Sequence, residues 1–579
     1  MSAAAKYKSR WVQLLVLQAI TILFSLSLVL ISPQSVNCRD YTDRSAGYNK
    51  PPEKPPILLW GPYITGTSEN SAIVNIKTSI ASKATVYYCD EAYYNAGASY
   101  NSSASDNVYG SMHHIALSGL VAGTTYHYQV CYERKQTGDL RFSTLPKSGP
   151  FSFAVYGDTQ DEPPNFSQKE RHKLVADRIA QEENILFVIN TGDLVNDGND
   201  THNWDRFFDA IRLMATGTTI YPVHGNHDGN SLYFDIFGVS PYYSFDCAGS
   251  HFTVIDSVYR TPEQAKWLNT DLDNNMKWKF VFFHHPFYTS ESNHFGGWKN
   301  LRNEWEETFI SRGVSAVWNG HIHAYERYLE KGIQYIVAGI GGGPYTTLNK
   351  VKYAGCQKSF ERILGYSKAT VDPVTGLVFI KVIKVAEISK NGKNVTISPE
   401  GTVIDEYILS SPEVDLKTVQ AYPDNTSKPD ETITRAEFVA ILVKAFEFPP
   451  QAGKMFADTV NHWSKDFIAA AAALGIADGY GNNSFGPDDL ITREQMAVMI
   501  ARALKLDQIN GKTAFADNSK ISKWAKEAVF AVVENNLMQG FPDNTFQPHV
   551  SATRAEAVYT TAKAMNKYKT MKKFEIISD

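Results

Sequence analysis

Hydrophobic positions along this chain follow three successive patterns. From Leu58 to Pro146, short alternating runs are broken by turns: SAIVNIKT, ATVYYCD, HHIALSGL, TYHYQVCYER, LRFSTLP. Period-two alternation with such punctuation predicts an antiparallel sandwich of about seven strands. From Phe151 to Leu409, β-rich apolar runs (FSFAVY, ILFVIN, TIYPV, FVFF, VSAVW) alternate with SQKERHKLVADRIAQEE and GGWKNLRNEWEETFISRG, whose apolar residues recur at helical spacing. That alternation predicts layered α/β packing, with KGIQYIVAGIGGGPY and LVFIKVIKVAEI as late closing strands. From Val414 to Met565 the sequence repeats itself: ETITRAEFVAILVKAF, DLITREQMAVMIARAL and VSATRAEAVYTTAKAM, anchored on Thr434, Thr492 and Thr553 about sixty residues apart. Two units have an upstream half with Trp463 and Trp524 in matching places, and the first lacks it.

The N-terminus is directional. Lys6, Lys8 and Arg10 precede an uncharged stretch from Trp11 to Ser32 and a polar exit, the order of an export signal. The apolar stretch is long enough to span a bilayer, so an uncleaved anchor is the alternative. Ser35, Val36 and Asn37 make a poor lipoprotein box before Cys38, which argues against lipidation. A Pro-rich stretch, NKPPEKPPI, then links to the first folded unit. The division is 1–37 signal or anchor, 38–57 linker, 58–147 sandwich, 148–410 α/β domain, and repeats at 414–448 (truncated), 454–506 and 513–566.

At 579 residues several cores are required, and a net charge of -5 gives no support for a nucleic-acid partner. The export context leaves Cys89–Cys131 and Cys247–Cys356 as candidate disulfides, although spacing cannot decide connectivity. No CxxC occurs, so a thiolate zinc site is not supported.

The chemistry sits at the ends of the five apolar runs. They stop at Asp158, at Asp193, at Asn226-His227-Asp228, at His284-His285 and at His321-Ile322-His323. Strands that end in this way place ligands on loops at one sheet edge, and glycine lets the backbone turn sharply beside an ion. Carboxylate, amide and imidazole together suit a borderline or hard divalent metal. A single Gly-Asp after a strand is usually a turn, but five such ends in order point to a two-metal hydrolytic site.

In this order the motifs resemble the calcineurin-like metallophosphoesterases, and with the preceding sandwich, the purple acid phosphatases. The segment Leu117 to Tyr128 further resembles a fibronectin type III signature, with Tyr126 as a corner tyrosine bonded to backbone upstream. The resemblance implies a four-layer α/β metallophosphoesterase domain with two divalent ions, drawn from Fe, Zn, Mn or Ca. By position, Asp158 and His323 would bind the first ion, Asp193 would bridge, and Asn226, His284 and His321 would bind the second. His227 would stabilise the phosphoryl group or protonate the leaving oxygen, Asp228 would orient His227, and His294 would be a second substrate-contacting histidine. Two positions depart from the family. Asn196 stands where purple acid phosphatases have their chromophoric tyrosine, and Gln160 where other members have a histidine. Either could lend an amide oxygen to the first metal, and a colourless enzyme is expected.

Each repeat unit carries a capping box: Thr434 with Glu437, Thr492 with Gln495, Thr553 with Glu556. Capping does not require the arginine that follows each threonine: Arg435, Arg493 and Arg554. The repeats resemble all-α S-layer homology domains, which implies that these arginines contact acidic cell-wall polysaccharide in grooves between units. Together the resemblances imply an exported phosphoesterase at a Gram-positive-type cell surface. Its substrate would be a phosphate ester, a monoester before a diester, attacked in line by a metal-bridging hydroxide, and the membrane would be met only through the N-terminal segment. The alternative is a non-catalytic wall-bound protein.

Overall fold

The computed structural model describes residues 55–410 and 431–578, apart from 98, 374–375, 400–401, 447, 450–453, 507–514 and 542–543. The export segment, Cys38 and most of the proline-rich linker lie outside the described residues. Among those described, no helix is long and apolar enough to cross a membrane. The chain divides into two compact units, Met1–Leu145 with Ala215–Thr219, and Pro146–Met214 with Ile220–Asp579.

In the first unit, one sheet joins Leu58–Thr65, Ser71–Ser82 and Gly110–Ser118. The other is built on Ala84–Asp90 and Thr125–Tyr132, with three short strands beside them. Alternate residues of both, among them Val74, Ile76, Val86, Tyr128 and Val130, close one apolar core. The Tyr126 hydroxyl accepts from Val121 N–H at 2.9 Å, the upstream bond expected of a corner tyrosine.

The α/β region has two seven-stranded sheets. The first runs Thr219–Pro222, Ile185–Asn190, Phe151–Tyr156, Ile363–Asp372, Leu377–Ile388 and Val395–Ile397, with Val403–Ser410 also on Leu377–Ile388. The second runs Tyr243–Cys247, Ser250–Val254, Trp278–Phe282, Ala316–Asn319, Ile333–Ala338, Ala324–Glu330 and Cys356–Glu361. Strand periodicity sorts the residues. Phe280 and Phe282 meet Phe153 of the first sheet, while Val281 and Phe283 face the helices Pro262–Asp271 and Lys299–Ser311. With apolar neighbours on both faces, FVFF reads as a continuous run rather than an alternation. Helix His172–Gln181 packs outside the first sheet. The layers are helix, sheet, sheet, helix.

The proposed disulfides do not form. Cys131 is disulfide-bonded, whereas Cys89, Cys247 and Cys356 take part in no disulfide. In the antiparallel register Cys89 faces His127 and Cys131 faces Thr85. The two cysteines are thus offset by four residues, roughly 13 Å, beyond bridging distance. Cys247 and Cys356 occupy the two opposite edge strands of the second sheet, six strand spacings or roughly 28 Å apart.

In the repeat region three helices begin directly after the capping threonines: Arg435–Ala445, Arg493–Ala503 and Arg554–Ser578. All three capping boxes form, with the acidic or amide side chain bonded back to the threonine N–H at 3.0–3.1 Å. Short helices Lys465–Ala473 and Lys526–Glu534 pack on the first and second of them. Isolated bridges Thr432–Thr553, Thr434–Leu490 and Thr492–Ser551 tie the three units together.

Candidate metal centre

All five motif-bearing loops converge at one end of the two sheets. Asp158, Asp193 and Asn226-His227-Asp228 follow strands of the first sheet; His284 and His321-Ile322-His323 follow strands of the second. Asp158, Asp193 and His321 hold left-handed backbone, with φ of 58°, 53° and 69°. Left-handed backbone is uncommon for non-glycine residues, and three ligand-type residues on the facing loops adopt it. The loops also pass very close to one another. A Cβ on Gly192 would lie 2.6 Å from His284 Nδ1, and one on Gly225 would lie 2.1 Å from Asp193 N. These contacts explain why the motifs place glycine before the ligand.

Two groups of donor atoms result: Asp158, Asp193 and His323, and His284, His285 and His321, with donor atoms within 4.8 Å inside each group. Asn226 joins the second, its Oδ1 standing 2.8 Å from His321 Nδ1 and 3.1 Å from His284 Nε2. Asp193 Oδ2 is 3.3 Å from His284 Nε2 and lies between the groups, while His323 Nε2 is 3.3 Å from Asp158 Oδ1. The far ring nitrogens have other partners: His284 Nδ1 donates to Thr191 O at 2.9 Å, and His323 Nδ1 faces the Pro344 carbonyl. With those protons placed, lone pairs converge on two points, a donor set that fits divalent cations. Gln160 supports the fit. Its Nε2 lies 3.2 Å from His323 Nε2 and 3.4 Å from Asp193 Oδ2, while its buried Oε1 has no hydrogen-bond partner. Turning the amide over would present that oxygen to a cation between them.

Electrostatics sharpen the contrast between the groups. Burial opposes charge on His284, but Asp193 beside it raises the imidazole to about 9. Burial likewise opposes ionisation of Asp193, yet His284 and His227 hold its carboxyl well below the usual range. Burial, then the charge of His284, lowers His321 to about 2. Burial and Asp193 push Asp228 up to about 7.

The other predicted residues fall as follows. His227 is exposed; its N–H donates to Asp193 Oδ1 at 2.9 Å, and its Nδ1 is 2.8 Å from Asn196 O. Asn196 itself is exposed and meets His227 through the main chain. Asp228 does not orient the His227 ring. Its carboxylate accepts instead from Gly225 N, Asp193 N and Leu194 N at 2.8, 3.0 and 2.7 Å, because the loop folds it back beneath the Asp193 turn. His294 has its Nδ1 2.9 Å from Glu291 Oε2, stacks on Trp298 at 4.4 Å, and meets His321 edge-on at 5.8 Å. It lines a cleft of ≈ 370 Å³ with Phe295, Trp298 and Lys299.

His285, named with His284 at its strand end in the sequence but given no role there, donates its main-chain N–H to Ser257 Oγ and packs against His321 at 4.5 Å. Sequence reasoning missed other members. Trp298 and buried Glu291 flank His294 in sequence. The buried His224–Asp256 pair, 3.1 Å apart, braces the Asn226 loop and had no signal before folding.

The arginines of the repeats are a correction. Arg435, Arg493 and Arg554 are only 3, 4 and 2 % exposed. Arg435 donates to Phe485 O and Asp478 O; Arg493 donates to Phe546 O and Gln539 O and pairs with Glu556. Arg435 and Arg493 fasten the loop of the next unit to the helix start rather than facing outward, and Arg554 is buried like them. The matching Trp463 and Trp524 are 54 and 59 % exposed.

This arrangement defines a calcineurin-like phosphoesterase domain, and residues 151–325 match the Calcineurin-like phosphoesterase family. Residues 456–497 and 514–558 match the S-layer homology domain. Purple acid phosphatase 18 of Arabidopsis thaliana is 29 % identical over 243 residues, covering 38 % of this chain and 53 % of that protein. The chain thus spans about half of that relative. The S-layer protein EA1 of Bacillus anthracis is 30 % identical over 158 residues, 27 % of this chain and 18 % of that protein. The solved purple acid phosphatase PPD1 of yellow lupin (Lupinus luteus) shares the fold at 16 % identity, with a TM-score of 0.50 over 62 % of this chain and 74 % of that one. The chain carries a calcineurin-like phosphoesterase domain with purple acid phosphatase relatives, joined to S-layer homology domains that point to the cell surface.

Proposed function

We propose that the protein is an exported, metal-dependent phosphoesterase that hydrolyses phosphate esters, monoesters in preference to diesters, while held to the wall of a Gram-positive-type cell. The observation that carries the reading is the convergence of Asp158, Asp193, Asn226, His284, His321 and His323 at one sheet end, with three of them in left-handed backbone. Asp158 and His323 would hold one ion with an amide oxygen from Gln160, Asn226, His284 and His321 would hold the other, and Asp193 would serve both. Two divalent ions there would supply Lewis-acid activation of water and of the phosphoryl oxygens.

The chain's own groups do the rest. The Asn196 carbonyl can only accept, so His227 keeps a proton at Nδ1, and it is the imidazolium form that gives its second proton, from Nε2, to the departing alcohol oxygen. His294, fixed by Glu291 and Trp298, contacts a phosphoryl oxygen from the cleft side. Asp228 positions the Asp193 turn. Asn196 in place of a tyrosine supports a colourless enzyme, and the sandwich at 58–147 reads as fibronectin III-like. Wall polysaccharide binding is assigned to the repeats as a group.

The test is release of p-nitrophenol from p-nitrophenyl phosphate and its bis-ester with added Mn, Zn, Fe or Ca. Activity on the monoester that Asp193→Ala abolishes, with sedimentation on cell walls intact, supports the reading. If every metal leaves both esters whole while the protein still sediments, the non-catalytic alternative stands.

A further inference from the structure

The first S-layer unit lacks the upstream half that the other two carry. Its helix Arg435–Ala445 is nevertheless covered, by Lys465–Ala473 of the second unit, and Arg493–Ala503 is covered by Lys526–Glu534 of the third. Each unit's short helix thus serves the central helix before it. By this rotation, the third central helix, Arg554–Ser578, would take its cover from ahead of the first unit, where the sequence has no counterpart of the Trp463 and Trp524 segments. Among the described residues, the helices it packs on most are the other two central helices.

We propose that the phosphoesterase sheet occupies this place, so that the catalytic domain itself completes the third S-layer unit. Tyr559 packs edge-on against Phe379 of strand Leu377–Ile388, with ring centroids 5.3 Å apart. The Tyr559 phenol comes close to the Asp372 carboxylate at the end of the neighbouring strand; burial, and then that carboxylate, raise its pKa. Lys563, buried and four residues on, lies over the Tyr559 ring at 4.6 Å and is drawn to the same carboxylate. Residues four apart share one helix face.

The equivalent face of the first central helix meets its short helix. Lys444 stands nine residues after Arg435, as Lys563 does after Arg554, and lies over the ring of Phe467 in Lys465–Ala473. In the second helix the matching Arg502 turns outward to Asp478. Side-chain size fits the difference in partner. Where the third helix has Tyr559, the first two have Ala440 and Val498, small enough for a short alanine-rich helix to approach closely. A sheet surface stands further off, and an aromatic ring with a polar tip spans that gap.

The mounting also orients the enzyme. Strand Ile363–Asp372 runs antiparallel to Phe151–Tyr156, with Val371 beside Phe151. Asp372 is therefore at the start of the strand whose end leads to Asp158, roughly 20 Å from the metal edge. The anchoring module holds the domain by the end opposite its active site.

Hydrogen–deuterium exchange on the full-length protein tests this. Phe379→Thr keeps a good strand former at a half-exposed position. It should make amides of 554–565 exchange roughly tenfold faster, while 151–156 and 435–445 keep their protection. Tyr559→Ala should do the same, and the double variant should exchange no faster than Tyr559→Ala alone. Unchanged exchange in 554–565 after Phe379→Thr, or additive effects in the double variant, would overturn the proposal. Neither readout uses activity or metal, so its failure is separate from failure of the phosphoesterase reading.

Discussion

Replacing Gln160 by alanine perturbs one donor group and leaves the other alone. Gln160 Nε2 stands 3.2 Å from His323 and 3.4 Å from Asp193, and the side chain makes no bond to Asn226, His284 or His321. The amide is buried, and its Oε1 is unpartnered. If it turns to give that oxygen to a cation, the variant loses one neutral oxygen ligand from the Asp158–Asp193–His323 group. A lost supporting contact of this kind weakens affinity by about 10- to 100-fold, or about 1.4–2.8 kcal/mol. Gln160→His offers an imidazole at the same place and should strengthen binding, most for Zn, which favours nitrogen donors.

Calorimetric titration of metal-free protein with Zn and with Mn separates the two sites. The expected result is that Gln160→Ala weakens one site alone and Gln160→His tightens it, with the other constant within a factor of two. Loss of affinity at both sites together would mean that Gln160 supports the loops rather than an ion. No change at either would refute a ligand role, and the orphaned oxygen would have to be a polar group buried at a cost.

Three further predictions follow from particular contacts. Glu291→Gln removes the charge that fixes His294 through two main-chain N–H groups and Nδ1, so kcat/KM should fall without change in metal content; His294→Ala should cost more, roughly 100-fold, and equal rates for Glu291→Gln and the parent would count against His294. Arg493→Ala leaves the Phe546 and Gln539 carbonyls and Glu556 without their partner, about 3 kcal/mol, so the thermal transition of the repeats should drop by about 6–12 °C; wall release at unchanged Tm would show instead that the side chain meets polymer. His251 lies between Asp246 and Asp271 at 2.7 and 2.9 Å, and although burial opposes its charge, the two carboxylates raise its pKa. Its contribution is full below the unfolded value of about 6.5 and is lost as pH rises through the folded one, so His251→Gln should flatten the alkaline decline of Tm; parallel Tm curves for parent and variant would sink this assignment.

The parts legible in the sequence were those set by local physics. Strand-end motifs announced the metal edge because the glycines at 192 and 225 are required by backbone contacts under 3 Å, a constraint that fixes residue type. Capping boxes were equally plain, since Thr434 and Glu437 satisfy each other within one turn. Long-range register was not legible. Cys89 and Cys131 sit in paired strands, and only the offset between them, which depends on the turns joining the strands, rules out the bond. Asp228 was read as a partner of its sequence neighbour His227, whereas it binds a turn 35 residues away. The His224–Asp256 clamp is likewise a meeting of distant segments.

The repeat arginines show why charge in a motif is an ambiguous signal. An arginine beside a helix N-terminus looks like an anion receptor when only the helix is considered. The same guanidinium carries five donors, and a turn arriving from the next unit brings carbonyls that need them. Arg435 and Arg493 resolve the competition in the same way, each bonding a Phe carbonyl just ahead of the next capping segment and stacking on that Phe at 4.6 and 5.0 Å. With Arg435 and Arg493 committed to joining units, the proposed polymer binding would fall to the groups left outside, among which Trp463 and Trp524 are large apolar side chains repeated in register. Sugar rings stack on exposed aromatic faces. Trp463→Ala with Trp524→Ala should therefore release the protein from walls at unchanged Tm, the opposite pattern to Arg493→Ala, and retention on the wall would return the binding role to the charged groups.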